Sequence, residues 1–265
     1  MSGSSADQSA KSGRWADLLP RTLSAIVMLG VGGASIHFGG LAFAVFVSVC
    51  IGAVVWEVLR MFHPGGKVSA VGCGVLGTAA LILASYLPLI AVPVVLAVPL
   101  ALGVLSLKAH RRQVAGVLAW VLLGGFGLIW LRDAYWVGWT YWLIFVVVAT
   151  DVAGYFCGKY FGGRKFWPAI SPKKTWSGTA GGWVAAALTG VVCVLSIHLP
   201  PDIIWISVFV SMFSQGGDIA ESALKRQTGI KDSSQLIPGH GGVFDRFDGM
   251  LGAGALCFLV AITWG

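Results

Sequence analysis

Charge is what this sequence has least of: 11% of its 265 residues are Asp, Glu, Lys or Arg, against about 25% in soluble domains. With 57% of residues hydrophobic and a mean hydropathy of +0.83, that shortage excludes an ordinary water-soluble globule. Disorder is excluded as well, because such a chain has ample apolar surface to bury. Cysteine is sparse. Cys50, Cys73, Cys157, Cys193 and Cys257 stand singly in apolar segments with no C-x-x-C pair. That removes a disulfide framework and a thiolate metal centre, and the five read as small buried hydrophobes. The 37 glycines follow no three-residue period, so the chain is not collagen-like. No G-x-x-x-x-G-K-[ST] run occurs, so there is no P-loop. The alternation of apolar and polar residues that a membrane barrel requires is missing too.

What is present is a succession of long apolar runs punctuated by charge, Pro or Gly. At about 20 residues per span they predict nine helices, near residues 21–38, 41–59, 69–87, 88–106, 114–131, 135–157, 179–198, 202–220 and 249–264. The expected fold is all-α: a polytopic integral membrane helical bundle with a cytoplasmic N-terminus. Pro88, Pro93 and Pro99 predict a bend or break in the fourth run. Residues 1–20 read as a polar tail rich in Ser, Gly and Ala. Lys11, Arg14 and Arg21 precede the first run as they would in a signal peptide. No small-residue cleavage site follows, so an uncleaved first helix is expected. The chain divides into that tail, N-terminal transmembrane helices over 21–134, and a C-terminal transmembrane region over 135–265 with hydrophilic loops at 158–178 and 221–248, where any chemistry is expected.

The formal net charge of +7 comes from 18 Lys and Arg against 11 Asp and Glu. These cations sit in short loops, where they set membrane orientation rather than bind nucleic acid. With the N-terminus inside, 17 of them fall on one side, and only Arg132, beside Asp133, falls on the other. That partition supports nine spans with the C-terminus outside, and it puts both long loops at the inner face.

Acidic residues in or beside membrane spans are costly and point to function or pairing. Asp151 ends WLIFVVVATD, Asp218 lies in SQGGDIAES, and Asp245 and Asp248 form DRFD before the last span. All four belong to cytoplasmic helix ends. Asp245 and Asp248, three apart, share a helix face, and two such carboxylates repel unless one is protonated or a cation lies between them. Hard oxygen ligands favour Mg²⁺ or Mn²⁺ over zinc. A salt-bridge cluster with Lys225, Arg226 or Arg246, or simple helix capping, accounts for the spacing equally well. Glu57, in VVWEVLR, is expected to pair with Arg60 or Arg21.

Two stretches suit phosphate. ISPKKTWSG (Ile170–Gly178) sets a proline turn, Lys173 and Lys174 just before a helix, whose N-terminal N–H groups attract anions; a basic loop against anionic lipid is the alternative. IPGHGGVFD places His240 among Gly239, Gly241 and Gly242, where the backbone can approach a ligand closely. His37, His63, His110 and His198 carry no such context.

Taken whole, SALKRQTGIKDSSQLIPGHGGVFDRFD (Ser222–Asp248) closely resembles the signature of the phosphatidate cytidylyltransferase (CDP-diacylglycerol synthase) family. Ser222, Lys225, Arg226, Lys231, Asp232, Pro238, His240, Gly241, Gly242, Asp245, Arg246 and Asp248 match its fixed positions. The likeness extends upstream to Asp151, Gly154, Tyr155, Gly158 and SPKKTW (Ser171–Trp176). Family members often carry an acidic or amide residue where this chain has Ser177, so Ser177 receives no role.

The resemblance implies an enzyme of phospholipid biosynthesis in which a phosphate oxygen of phosphatidic acid attacks the α-phosphorus of CTP. Pyrophosphate leaves, and CDP-diacylglycerol stays in the bilayer. It implies Mg²⁺ as cofactor, with a second cation such as K⁺ left open, and Asp218, Asp245 and Asp248 as metal ligands. Lys225, Arg226, Lys231 and Arg246 would hold the lipid phosphate or the triphosphate. Ser171, Lys173, Lys174 and Thr175 would contact the nucleotide, Asp151 would bind metal or orient a lysine, and Gly241 and Gly242 would line the site. His240 belongs to the site without being a required base, since the attacking phosphate is already an anion. The implied partners are CTP, phosphatidic acid and membrane lipid, with no nucleic acid and a homodimer left open. The implied setting is a bacterial inner membrane with the site facing the cytoplasm. Rival readings are a CTP-using polyprenol or dolichol kinase, a cytidylyltransferase for another lipid phosphate, and a transporter whose acids line a pore. A reporter fused after Gly265 is expected to read out on the non-cytoplasmic side, and a cytoplasmic signal there would break the nine-span partition.

Overall fold

A computed structural model describes residues 5–264, with side chains over 20–263. Each predicted apolar run holds a helix: α1 (Ser5–Phe38), α2 (Gly40–Phe62), α3 (Lys67–Ala84), α4 (Val92–Leu105), α5 (Arg111–Ala134), α6 (Val137–Tyr160), α7 (Trp176–Ile197), α8 (Ile203–Thr228) and α9 (Phe244–Trp264). Among the described residues, eight are long and apolar enough to cross a membrane. The chain is an all-α, multi-pass membrane protein. The apolar part of α1 is Pro20–Phe38; residues 5–19, read as a polar tail, continue the same helix. Lys11 and Arg14 lie outside the described side chains.

The fourth run is the exception among the nine. Pro88 precedes a 3-10 turn over Leu89–Ala91, and α4 follows with Pro93 in its first turn and Pro99 inside it. Proline has no N–H to donate, so this segment is not one regular helix. Turn and helix together form one continuous apolar segment, Leu89–Leu105, about 26 Å long against a hydrocarbon core about 30 Å thick.

Lipid removes most of the hydrophobic drive for helix association, so close backbone approach has to do that work. Glycine provides it at two seams. A Cβ on Gly127 would collide with the Gly254 carbonyl, and one on Gly124 would lie 2.6 Å from the Leu251 carbonyl oxygen, so α5 and α9 touch backbone to backbone. A Cβ on Gly217 would strike the Asp248 carbonyl, and one on Gly252 the Phe213 carbonyl, which locks α8 to α9 in the same way. Outward-facing Leu29, Val68, Leu195 and Trp205 are left bare, as a lipid-facing surface requires. Cys73, Cys193 and Cys257 are buried as expected, whereas Cys50 and Cys157 are half-buried; all five are free thiols.

The two hydrophilic loops have structure of their own. Within 158–178, β1 (Lys165–Trp167) pairs antiparallel with β2 (Ser171–Thr175), Lys165 opposite Thr175 and Trp167 opposite Ser171. Sequence reasoning expected only a proline turn here. After α8 the chain turns at Gly229 (φ 72°) and folds back through a bridge between Ile237 and Gly241. Gly239 and Gly241 hold φ values of 74° and 82° in that turn, a region open to glycine at no steric cost.

Candidate functional site

Backbone contact between α8 and α9 at Gly217 and Asp248 brings carboxylates from two helices together. Oxygens of Asp218, Glu221 and Asp248 lie within 4.8 Å of one another. Asp218 and Glu221 are three apart on α8 and share a face. Glu221 is only 2% exposed, and its Oε1 has no hydrogen-bond partner. A buried carboxylate oxygen without a donor is costly, so this cluster calls for a proton or a cation. Sequence reasoning missed Glu221. The signal was available in the Asp218–Glu221 spacing, which repeats that of Asp245 and Asp248.

Asp245 was expected as the third acid and sits a step away. Its Oδ1 accepts from Lys225 Nζ at 2.7 Å, and its Oδ2 from the backbone N–H groups of Ser233 (2.9 Å) and Gly242 (2.8 Å) and from the Ser233 hydroxyl (3.0 Å). The salt-bridge reading of DRFD holds for Asp245, which pairs with Lys225, while Asp248 lies in the carboxylate cluster and accepts from the Gly249 N–H at 2.7 Å. Lys225 Nζ also reaches Glu221 Oε2 at 2.7 Å, so a single ammonium ties the loop acid to the cluster.

Asp218 borders a cavity of about 1110 Å³ enclosed by α6, α7, α8 and the β-hairpin. Asp151, Lys173, Lys174 and Thr175 line the same space. Lys174 Nζ lies 2.6 Å from Asp218 Oδ2, so the hairpin delivers a cation directly to the acidic cluster. Ser171, on the same strand, is not part of the lining. The Thr175 hydroxyl caps α7, accepting from the Gly178 N–H at 3.2 Å, so it is already engaged. The deep wall carries Thr150, Trp183 and Gln215, with Trp183 Nε1 donating to Gln215 Oε1 at 3.0 Å.

The remaining expected residues brace the loop. Arg246 donates from Nε (2.9 Å) and Nη2 (2.6 Å) to the His240 carbonyl. His240 Nδ1 faces the Ser24 hydroxyl of α1 at 2.9 Å. Arg226 Nε donates to the Ile170 carbonyl at 3.4 Å, tying α8 to the hairpin turn. Lys231 is exposed. A Cβ on Gly241 would press on Asp245, and one on Gly242 would lie 2.5 Å from Glu57 Oε1, so both glycines are required by packing. Glu57 does not pair with an arginine as expected. Its oxygens are taken up by this loop instead, while Arg60 lies over the Trp56 ring.

A family model described as cytidylyltransferase family matches residues 19–264. Proteins named phosphatidate cytidylyltransferase are 50% identical over 120 residues in Brucella melitensis (44% of each chain), 45% over 122 in Bacillus subtilis (45% of each), and 40% over 109 in Staphylococcus epidermidis (40% of this chain, 42% of that one). The chain thus spans less than half the length of the curated relatives it matches. Replacing Lys225 by Met leaves Glu221 without a donor and removes one of the four on Asp245, and is expected to lower stability by about 1–3 kcal/mol. Thermal unfolding in detergent reads this, and an unchanged midpoint would contradict the assigned pairing.

Proposed function

The chain belongs to the cytidylyltransferase family, and from that membership we propose that it transfers the cytidylyl group of CTP to phosphatidic acid, releasing pyrophosphate and leaving CDP-diacylglycerol in the bilayer. The observation that carries the reading is the cluster of Asp218, Glu221 and Asp248 at the edge of a cavity lined by Lys173 and Lys174. Two polyanions must meet for this reaction, and their repulsion is the main obstacle. Catalysis of such a transfer is largely positioning and charge neutralisation.

The donor set fits Mg²⁺: hard carboxylate oxygens, one of them buried and unpartnered, of the kind that cation takes alongside substrate phosphates. Asp218, Glu221 and Asp248 would hold it, and when bound it supplies polarisation of the α-phosphate and charge neutralisation at the leaving group. We place no second ion, K⁺ included. Lys173 and Lys174 receive the triphosphate at the cavity mouth, Lys174 leaving Asp218 to do so. Asp151, in the same cavity lining, would take up the released ammonium. Lys225, fixed between Glu221 and Asp245, offsets part of the negative charge beside the cluster. The nucleophile is already an anion near neutral pH, so no side chain need remove a proton. The cavity exceeds the roughly 300–1,000 Å³ of a typical small-ligand pocket, as room for a nucleotide and a lipid headgroup requires.

With Leu89–Leu105 as the ninth crossing, both hydrophilic loops fall on the side that holds nearly all the Lys and Arg, which supports a site facing the cytoplasm of a bacterial inner membrane, where CTP is available. Purified protein given CTP, Mg²⁺ and phosphatidic acid is expected to yield a CDP-lipid and pyrophosphate, and to stop on chelation. Asp218→Asn, Glu221→Gln and Asp248→Asn are each expected to lower turnover by about 10²–10³-fold while the protein still inserts. CDP together with a phosphorylated lipid would indicate a kinase instead, and full activity in all three variants would remove the metal assignment.

A further inference from the structure

Glu57 is 0% exposed in the middle of the bundle. It lies in α2, far in sequence from the signature loop, yet four donors from that loop converge on it. The Ser234 hydroxyl donates to Oε1 at 2.6 Å and the Val243 N–H at 2.9 Å, while the Phe244 N–H donates to Oε2 at 2.7 Å and the Ser233 hydroxyl at 3.1 Å. Phe244 is the first residue of α9, so Glu57 caps that helix from another part of the chain. A carboxylate there meets exposed N–H groups and the positive end of the helix dipole. Among the described residues no Lys or Arg forms an ion pair with it, so its charge is stabilised by neutral donors. Gly242 carries no Cβ because one would overlap Ser233 and press on Glu57.

From Glu57 a continuous polar chain runs into the acidic cluster. Ser233 Oγ lies 3.1 Å from Glu57 Oε2 and 3.0 Å from Asp245 Oδ2. A hydroxyl has a single proton, so the two carboxylates compete for it and Ser233 holds them in register. Asp245 then grips Lys225 at 2.7 Å, and Lys225 grips Glu221 at 2.7 Å. Asp248 follows Asp245 by one turn of the helix whose start Glu57 fixes.

We propose that Glu57 is a positioning residue for the acidic cluster: it sets where α9 begins and, through Ser233, Asp245 and Lys225, where Glu221 and Asp248 point. Outer groups that orient metal ligands alter metal affinity without touching substrate. An amide at position 57 would turn an N–H₂ toward donors and lose half of the accepting capacity. A merely structural glutamate would change how much protein folds; a positioning one changes the cluster in the protein that does fold.

The test has two readouts. Hydrogen exchange, which does not depend on the proposed reaction, is expected to accelerate about tenfold or more at Val243 and Phe244 in Glu57→Gln, since local opening governs exchange. The Mg²⁺ concentration for half-maximal cytidylyl transfer, which does rest on that reading, is expected to rise about 10–100-fold, with KM for phosphatidic acid within about twofold of wild type. Ser234→Ala removes one donor and carries the same test, with smaller shifts in the same direction, if Glu57→Gln fails to insert. Unchanged exchange, or folded variant enzyme with the wild-type Mg²⁺ requirement, overturns the proposal. Absence of transfer in the wild-type protein would instead sink the proposed function and leave the exchange result standing.

Discussion

Three carboxylates held within 4.8 Å of one another, one of them sealed from water, repel strongly in a medium of low dielectric constant. Nothing in the local sequence requires that arrangement. It is imposed by the glycine seam between α8 and α9, where Gly217 lets the Asp248 backbone come into contact. The surrounding structure answers the repulsion only in part. Lys174 arrives from the hairpin to meet Asp218, and Lys225 meets one oxygen of Glu221, while the other oxygen is left without a donor. The proposed divalent cation would supply the positive charge that this partial salt-bridge network lacks.

The first half of the chain gains a purpose from this view. Helices α2, α3 and α5 form an apolar block, and α5 holds α9 through the contacts at Gly124 and Gly127. The block therefore fixes one wall of the α8–α9 pair. Glu57 is its one acidic group that reaches the signature loop, and α1 adds the Ser24 contact to His240. The proposed site residues lie after residue 150, and elements before it help to fix where α9 stands.

Much of the fold was legible because lipid imposes a simple rule: a span must be apolar and about 20 residues long. Charge punctuation marked the ends, and three prolines marked the one irregular segment. The hairpin at 165–175 was not legible, since two short strands in a loop have too few residues for a period to show. Within the site, Asp218, Asp248 and Lys174 were recoverable from their place at helix ends and beside a proline turn. Asp245 pairs with Lys225 while Glu221 joins Asp218 and Asp248, an arrangement spacing alone does not show because residues three apart share a helix face whatever they contact. Only the neighbours decide, and those neighbours are the Ser233 and Gly242 N–H groups of the loop that joins α8 to α9. Glu57 was misassigned for the same reason. A nearby arginine is the obvious partner in sequence, and the actual donors lie more than 170 residues away.

The central claim is that Asp218, Glu221 and Asp248 together hold one divalent cation. Crystals of the detergent-solubilised protein soaked in Mn²⁺ test it most directly through anomalous scattering. The account predicts a single peak in coordination contact with all three carboxylates, with Asp245 still bound to Lys225. A map with no peak there, or with the peak at Asp245 and Glu221 left aside, would contradict it.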